Sequence, residues 1–289
     1  MTRVSGVGDE AAASLADQIR IHRALGLDGL ELRTVDGRGL YELTDAQAAL
    51  MAVRVLTSGL EVPVVATPIG GRGASIGAPR ALDLAILRRT AEIASLVGCR
   101  HLRVMSYPND GRPDAEWRKA ALARLTRLTR LAEDLDVVLL HENRHGWASR
   151  SAAASVELVT TVDSPNLRLL FDTGNGLAHG YDALPFLWEV LPWVAHVHVR
   201  DGVRTEDGAE FAVPGDGEVG VADCLRLLAD AGYDGWYSLE PHVARIPHLG
   251  VTADPATLEA GYRTCAEKFL TLLDRGGART GPWPPPRKP

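Results

Sequence analysis

The stretch Val137-Val-Leu-Leu-His-Glu142 decides the fold, because it is an apolar, β-branched run that ends in a carboxylate. Three later stretches repeat this plan: Leu167-Arg-Leu-Leu-Phe-Asp172, Val194-Ala-His-Val-His198 and Trp236-Tyr-Ser-Leu-Glu240. Runs of this composition and length are typical of strands buried in a sheet. The second half of the chain therefore predicts four strands, each with a polar side chain at its carboxyl end.

Four earlier apolar runs extend the series, and longer amphipathic segments separate all of them. The eight strand candidates are Arg3–Gly6, Gly29–Arg33, Val62–Ala66, His101–Met105, Val137–His141, Leu167–Phe171, Val194–Val199 and Trp236–Leu239. Between two of them, Ala121, Leu125, Leu128 and Ala132 recur at spacings of four, three and four, which marks one apolar helix face. Thr44 and Thr252 are predicted to cap two further helices at their amino ends.

Strands that alternate with helices predict an α/β fold with a parallel sheet. The chain has 289 residues, and a single (β/α)8 TIM barrel needs about 250. An open doubly wound sheet is the alternative, which the lack of a GxGxxG motif after the first strand disfavours. We predict one barrel over residues 1–275 and a Pro-rich C-terminal tail over residues 276–289.

Composition excludes several classes of function. The net charge is −6 without a long run of either sign, so the chain offers no basic footprint for nucleic acid and no polybasic membrane anchor. No stretch approaches about 18 apolar residues, and the first ten residues lack the apolar run of a signal peptide. Cys99, Cys224 and Cys265 form no CxxC pair, which predicts reduced, buried thiols. The expected location is cytoplasmic.

Four polar residues at consecutive strand ends are candidate metal ligands. In a parallel barrel the carboxyl ends of all strands meet at one mouth, and residues two apart on a strand share a face. By this argument Glu142, Asp172, His198 and Glu240 project toward a common centre, although each alone is compatible with an isolated polar residue. Three carboxylates and one imidazole suit a single divalent metal ion, with Mn²⁺ expected first and Mg²⁺, Co²⁺ or Zn²⁺ as alternatives.

The motifs around these residues resemble those of the xylose isomerase-like TIM-barrel superfamily, in particular its sugar phosphate isomerase/epimerase family. The matching stretches are Gly26-Leu-Asp-Gly-Leu-Glu-Leu-Arg33, Glu142-Asn143, Phe171-Asp-Thr-Gly-Asn175, His196-Val-His-Val-Arg-Asp201, Pro214-Gly-Asp-Gly-Glu-Val-Gly220 and Gly232-Tyr-Asp-Gly-Trp-Tyr-Ser-Leu-Glu-Pro241. The resemblance runs from about residue 10 to about residue 270 and is strongest from Val137 to Pro241.

The resemblance implies roles for the four ligands. In the ketose epimerases of this superfamily the matching residues bind Mn²⁺, Mg²⁺ or Co²⁺, and the residues matching Glu142 and Glu240 act as acid and base on opposite faces of the substrate. Asn175 departs from the pattern, because a histidine there usually touches substrate oxygens. The DNA-repair endonucleases of the superfamily also have that histidine, together with an Asp-x-His pair that Ala209-Glu-Phe211 lacks, which disfavours a three-zinc nuclease.

The quartet is compatible with several reactions through an enediolate: epimerisation, aldose–ketose isomerisation, or loss of a β-hydroxyl. The only lysines are Lys119, Lys268 and Lys288, and none lies at a strand end, which argues against Schiff-base chemistry and a lysine-assisted hydride shift. We therefore expect an enzyme, an isomerase or epimerase of a sugar or polyol-derived compound. The alternative is an inosose- or dehydroshikimate-type dehydratase, and a non-catalytic binding barrel is less favoured.

Other residues near the strand ends are secondary candidates. His145, Trp147, Asn175, Arg204 and His242 are predicted to contact substrate, although loop packing or a solvated arginine explains several of them equally well. Asp201 and His196 are predicted to orient the ligands, with a loop cap and a core histidine as the respective alternatives. Asp216 and Glu218 in the glycine-rich loop favour a turn there over a phosphate site. The expected partner is a small molecule, and a homo-oligomer is compatible with the sequence.

Overall fold

The computed structural model describes residues 2–206, 208–246 and 250–275 of the chain. Its strands are β1 (Arg3–Gly6), β2 (Thr34–Val35), β3 (Arg38–Gly39), β4 (Val65–Ala66), β5 (His101–Ser106), β6 (Val138–Gly146), β7 (Leu167–Asp172), β8 (Val194–Val199), β9 (Asp201–Thr205), β10 (Gly208–Ala212), β11 (Trp236–Leu239), β12 (Arg245–Ile246) and β13 (Val251–Thr252). Its α-helices are α1 (Leu15–Ala24), α2 (Asp45–Ser58), α3 (Arg80–Ser95), α4 (Asp114–Asp134), α5 (Ala152–Val162), α6 (Gly176–His179), α7 (Ala183–Val190), α8 (Val221–Asp230) and α9 (Pro255–Arg275). The predicted Pro-rich tail lies outside the described residues.

Seven parallel strands form one curled sheet in the order β1-β11-β8-β7-β6-β5-β4. The segment 29–32 joins the two edges through parallel bridges that pair Val7 with Glu31 and Leu32 with Val65. The edges are thereby bridged as in a closed barrel, so the (β/α)8 prediction is confirmed and the open-sheet alternative is wrong.

The predicted strand Gly29–Arg33 is at the right place but makes isolated bridges, including a third that pairs Gly29 with Glu61, in place of a regular ladder. Gly29 lies so close to its neighbours that a Cβ there would sit 2.8 Å from the Trp236 ring and 3.0 Å from the Glu61 carbonyl oxygen. A glycine without a side chain to pack weakens a strand while allowing this close approach. The apolar run predicted a strand here, but the prediction did not take into account that Gly29 weakens strand pairing.

Two apolar layers hold the barrel together. The larger core packs the outer face of the strands against the helices, including the predicted face of α4 with Ala121, Leu125, Leu128 and Ala132. A small separate cluster of Val64, Leu140 and Leu170 is packed apart from that core. Leu140 and Glu142 lie two residues apart in β6 and share a face. The side chains on that face therefore change from aliphatic to polar over this short distance.

The helix ends and the thiols test three smaller predictions. Thr44 accepts a hydrogen bond from the Gln47 backbone N–H in a capping box at α2, as predicted. The prediction for Thr252 is wrong, because that residue lies in β13 and Asp254 accepts the backbone N–H groups of Ala256 and Thr257 at the start of α9. The three cysteines are free and buried, as predicted. Among the described helices we find none with the length and apolar character to cross a membrane.

A buried arginine fixes the loop between β4 and α3 at the mouth of the barrel. Arg124 on α4 donates hydrogen bonds to the carbonyls of Ile76 at 3.0 Å and Ala78 at 2.9 Å, and to the Asp83 carboxylate at 2.7 Å. The Tyr107 hydroxyl donates to the same carboxylate at 2.5 Å. Because Arg124, Asp83 and Tyr107 are buried, the loop has a defined position above the strand ends.

Gly146 at the end of β6 is expected to be essential for stability. It has a φ of 98°, and a Cβ there would lie 2.2 Å from the Ser106 carbonyl carbon. Gly146→Ala should lower the free energy of unfolding by about 3 kcal/mol, since backbone strain and overpacking add. Gly59→Ala is the matched control, with a φ of 77° and open space around the added Cβ, and should cost about 1 kcal/mol. Urea unfolding followed by circular dichroism measures both, and equal losses would contradict the steric argument.

Candidate metal centre

The structure brings Glu142, Asp172, His198 and Glu240 together at the mouth of the barrel. Each contributes one ligand atom to a group whose members all lie within 4.8 Å of one another, and all four residues are buried. The register places Asp172 beside His198 on neighbouring strands, while Glu142 lies in β6 and Glu240 directly follows β11. Parallel strands with side chains of period two therefore converge here as the sequence predicted.

Asp172 is oriented by the backbone around it. Its Oδ1 accepts the N–H groups of Gly174 at 2.8 Å and Asn175 at 2.9 Å. Its Oδ2 lies 4.0 Å from His198 Nδ1. The side chain of Asn143 accepts the Asp172 N–H at 2.7 Å and donates to the Asp172 carbonyl at 3.1 Å. Oδ1 thus accepts backbone hydrogen bonds from the turn after β7, and Oδ2 faces the other candidate ligands.

His198 has different partners on its two ring nitrogens. Nδ1 lies 3.1 Å from Glu240 Oε2, while Nε2 lies 2.9 Å from Glu31 Oε2. Burial lowers the pKa of His198, but the carboxylates of Glu31 and Glu240 outweigh burial and raise that pKa to about 10. A neutral imidazole that donates Nε2–H to Glu31 would present the lone pair of Nδ1 to a cation. His196, predicted to orient the ligands, also contacts Glu31, at 3.1 Å.

Glu142 has one oxygen that is not fully engaged. Its Oε1 accepts a hydrogen bond from Asn175 Nδ2 at 3.0 Å. Its Oε2 lies 3.2 Å from Arg103 Nη1, but makes no hydrogen bond of normal geometry within the described part of the chain. A buried carboxylate oxygen with unused lone pairs is suited to bind a cation. Asn175, predicted to contact substrate, is therefore placed against the carboxylate of the candidate ligand Glu142.

The crowded carboxylates repel one another, and the pKa values reflect it. Burial raises the pKa of Asp172 to about 6, and the charges of Glu142 and Glu240 add to this rise against the opposing effect of Arg200. For Glu240 burial also acts upward, but Arg200, His242 and His198 hold the pKa well below its usual range. Positive charge between the carboxylates is what this arrangement requires. Three hard oxygen donors and one imidazole fit a divalent cation.

Arg200 is the main residue that the sequence analysis missed. Its Nη2 lies 2.5 Å from Asp172 Oδ2 and 2.5 Å from Glu240 Oε2, and the residue is fully buried. It supplies positive charge between two of the proposed ligands, so a bound cation would share these oxygens with the guanidinium. The signal was present in the sequence, because Arg200 stands two residues after His198 and so shares its face.

Two other predicted residues lie at the mouth. His145 lines a cavity of about 580 Å³ together with Arg33, Arg103, Arg144 and Glu240. Burial lowers the pKa of His145 to about 4, which keeps its ring neutral at pH 7. His242 lies with Nδ1 3.0 Å from Glu10 Oε1 and with Nε2 3.2 Å from Arg144 Nη2.

Three further predicted residues make their contacts elsewhere. Trp147 is buried in the outer core, beneath the guanidinium of Arg118. Arg204 pairs with Asp182 at 3.0 Å and Glu218 at 3.4 Å beside a separate cavity of about 130 Å³. Asp201 accepts four backbone N–H groups, those of Gly202, Gly215, Gly217 and Val219. The geometry of Asp201 is that of a loop cap, which was its alternative interpretation.

Known relatives cover part of the chain. An inosose dehydratase of Bacillus thuringiensis is 31% identical over an alignment of 144 residues that covers 44% of this chain and 47% of that protein. An inosose dehydratase of Lacticaseibacillus casei is 28% identical over 143 residues, with the same coverage. The chain thus spans about half the length of the curated relatives it matches.

Solved structures resemble the whole fold. An IOLI protein with a bound zinc atom superposes with a TM-score of 0.75 at 17% identity, over 96% of this chain and 100% of that one. An L-ribulose 3-epimerase has a TM-score of 0.73 at 17% identity, over 98% and 100%. A probable 3-DHS dehydratase, AsbF of Bacillus anthracis, has a TM-score of 0.70 at 16% identity, over 93% and 99%. At these identities the likeness shows the fold alone.

A family model described as a xylose isomerase-like TIM barrel matches residues 19–267, which is most of the chain. That range contains all four candidate ligands, and the resemblance seen in the motifs agrees with it. The chain therefore belongs to the xylose isomerase-like TIM-barrel family.

Proposed function

We propose that the chain is a divalent-metal-dependent isomerase or epimerase of a sugar or another small hydroxy-carbonyl compound. The observation that carries the proposal is the convergence of Glu142, Asp172, His198 and Glu240, all buried, within 4.8 Å. Mn²⁺ is the first candidate for the metal, and the zinc in the IOLI protein keeps Zn²⁺ as an alternative. When bound, the cation would polarise a substrate carbonyl and hold the neighbouring hydroxyl.

Glu142 and Glu240 are the proposed proton-transfer groups. For both, the effect of nearby cationic side chains exceeds that of burial and lowers the pKa, with Arg103 the main cation for Glu142 and Arg200 for Glu240. Both are thus ionised and able to accept a proton from the carbon beside a carbonyl. They stand at β6 and after β11, with β7 and β8 between, and so approach the centre from different sides. One carboxylate would remove the proton, and the other would return one.

The site of protonation would decide the product. A proton returned to the same carbon from the other face gives the epimer, and a proton returned to the adjacent carbon gives the aldose–ketose isomer. Lys119 and Lys268 lie on α4 and α9, and Lys268 pairs with Asp216 at 2.8 Å. Within the described chain, no lysine therefore stands at a strand end for Schiff-base chemistry, which favours carboxylate-mediated transfer.

Dehydration is the second candidate, and the relatives at 28–31% identity that are inosose dehydratases favour it about equally. If the substrate carries a hydroxyl β to the carbonyl, the same enediolate can expel it. The carboxylate that removed the proton from carbon would then give that proton to the leaving hydroxyl, which departs as water. This route needs no residue beyond those already assigned.

Metal content is the first test of the proposal. Protein purified without chelator should contain about one Mn, Co, Mg or Zn per chain, and Asp172→Asn should lose most of it because one of three ligand carboxylates is gone. Elemental mass spectrometry measures both. Asp182→Asn, an aspartate with a side chain 76% exposed, is the control and should keep the metal. No metal in the natural chain, even after incubation with Mn²⁺, would contradict the proposal.

The two glutamates should be separately required for proton exchange. In D₂O, Glu142→Gln and Glu240→Gln should each slow deuterium entry at the α-carbon of a substrate by about 10²–10⁴-fold, because an amide cannot accept the proton. Mass spectrometry of ketoses and inososes follows the exchange. Glu92→Gln on α3, with a side chain 65% exposed, controls for the loss of a carboxylate and should leave the rate unchanged. Retained exchange in either site variant would exclude that residue as acid or base.

Product mass separates the two candidate reactions. An isomerase or epimerase leaves the substrate mass unchanged, whereas a dehydratase lowers it by about 18 Da. We expect an unchanged mass for turnover in H₂O, and a mass higher by about 1 Da in D₂O, where one carbon-bound hydrogen is exchanged. A product lighter by one water, with no isomer detected by chromatography, would replace the first candidate by the second.

A further inference from the structure

Basic side chains occupy the layer directly above the proposed metal ligands. Arg144 stands two residues after Glu142, and Arg200 stands two after His198. Because side chains alternate along a strand, residues two apart share a face, and the later one lies nearer the mouth. Two guanidinium groups therefore lie beside the proposed ligands, Arg144 at the cavity and Arg200 against Asp172 and Glu240.

The cavity above the centre is rich in arginine. Four of its lining residues, which we name the mouth arginines, are Arg33, Arg72, Arg103 and Arg144. Its acidic lining residues are Asp83, which Arg124 already pairs at 2.6 Å, and Glu240. The volume of about 580 Å³ is within the range of about 300–1,000 Å³ for small-molecule sites. Among the charged residues that line this space, the arginines thus outnumber the carboxylates.

The mouth arginines share their counter-charges with the proposed metal. Arg103 Nη1 lies 3.2 Å from Glu142 Oε2. Arg33 Nη1 lies 2.5 Å from Glu240 Oε1, but Arg33 also pairs with Asp9 at 2.9 Å and with Glu10 at 2.6 Å. The Nε of Arg103 makes no hydrogen bond within the described part of the chain, although its side chain is only 8% exposed. A cation held by Glu142 and Glu240 would draw on the same oxygens. The buried guanidinium of Arg103 would then need another anion, whereas Arg33 would keep Asp9 and Glu10.

We propose that the substrate carries an oxyanion, a carboxylate or a phosphate, which the mouth arginines bind while its hydroxy-carbonyl group lies at the centre. This inference rests on the proposed function and deepens it by naming the substrate class. The planar guanidinium matches the two oxygens of either group in a bidentate pair. Arg103 reaches the anion from the barrel interior, and Arg72 does so from the loop that Arg124 fixes.

Binding of three ketoses with one carbon skeleton tests the inference without relying on turnover. The probes are D-fructose, D-fructuronate and D-fructose 6-phosphate, measured by isothermal titration calorimetry on the full chain, as purified and after metal removal. We expect at least one acidic probe to bind about tenfold or more tightly than D-fructose, and its affinity to fall with added salt. Preference for D-fructuronate identifies a carboxylate, and preference for D-fructose 6-phosphate identifies a phosphate.

Three variants locate the anion. Arg103→Gln should abolish most of the preference, and Arg72→Gln, at an exposed loop position that should fold normally, should reduce it several-fold. Arg100→Gln removes the same charge beside the opposite end of β5, where Arg100 pairs with Asp136, and should leave the preference intact. Equal affinity for all three probes, or an equal loss in Arg100→Gln, would overturn the inference.

The two proposals fail in different ways. If the inference is wrong but the proposed function holds, the chain binds metal and exchanges deuterium yet shows no preference for acidic probes. If the proposed function is wrong, metal and exchange are absent, while a preference for acidic probes in the metal-free protein still supports the anion site.

Discussion

The repulsion among three buried carboxylates is the constraint on which the rest of the site depends. Glu142, Asp172 and Glu240 lie together without contact with bulk water, and each buried charge costs several kcal/mol unless it is paired. Neighbouring cationic side chains offset this repulsion, above all Arg200, which lies between Asp172 and Glu240. The positive charge that holds the site together is therefore also the charge that a metal and a substrate would meet.

The barrel keeps this concentration of charge apart from the apolar core. Leu140 and Leu170 belong to a small aliphatic cluster, while Glu142 and Asp172, two residues further along the same strands, belong to the polar layer. The outer faces of the strands pack against the helices throughout. The apolar layers that stabilise the fold thus contain none of the four candidate ligands, which leaves the mouth of the barrel available for function.

The sequence predicted those parts of the molecule that follow from local periodicity. Eight apolar runs predicted the strand positions. The alternation of side chains within a strand and the shared carboxyl edge of parallel strands predicted the quartet, because neither rule depends on particular contacts between strands. Glu31 and Arg103 were missed, since their roles arise from contacts with His198 and Glu142 on other strands. Arg204 was predicted to contact substrate from its position after a strand. It lies instead in the β9–β10 hairpin and pairs with Asp182 and Glu218, contacts that periodicity does not describe.

Asn143 adds a mechanical property to the site. The regular pairing of β6 with β7 ends at Glu142 and Leu170, and beyond it the Asn143 amide binds both the N–H and the carbonyl of Asp172. The Asn143 side chain thus continues the pairing of β6 with β7 by one step. The spacing between the carboxylates of Glu142 and Asp172 is therefore set by hydrogen bonds between strands rather than by a loop. A chelate with a fixed bite discriminates among ions by radius. The selectivity of such a centre among metal ions would then depend on the pairing of β6 with β7.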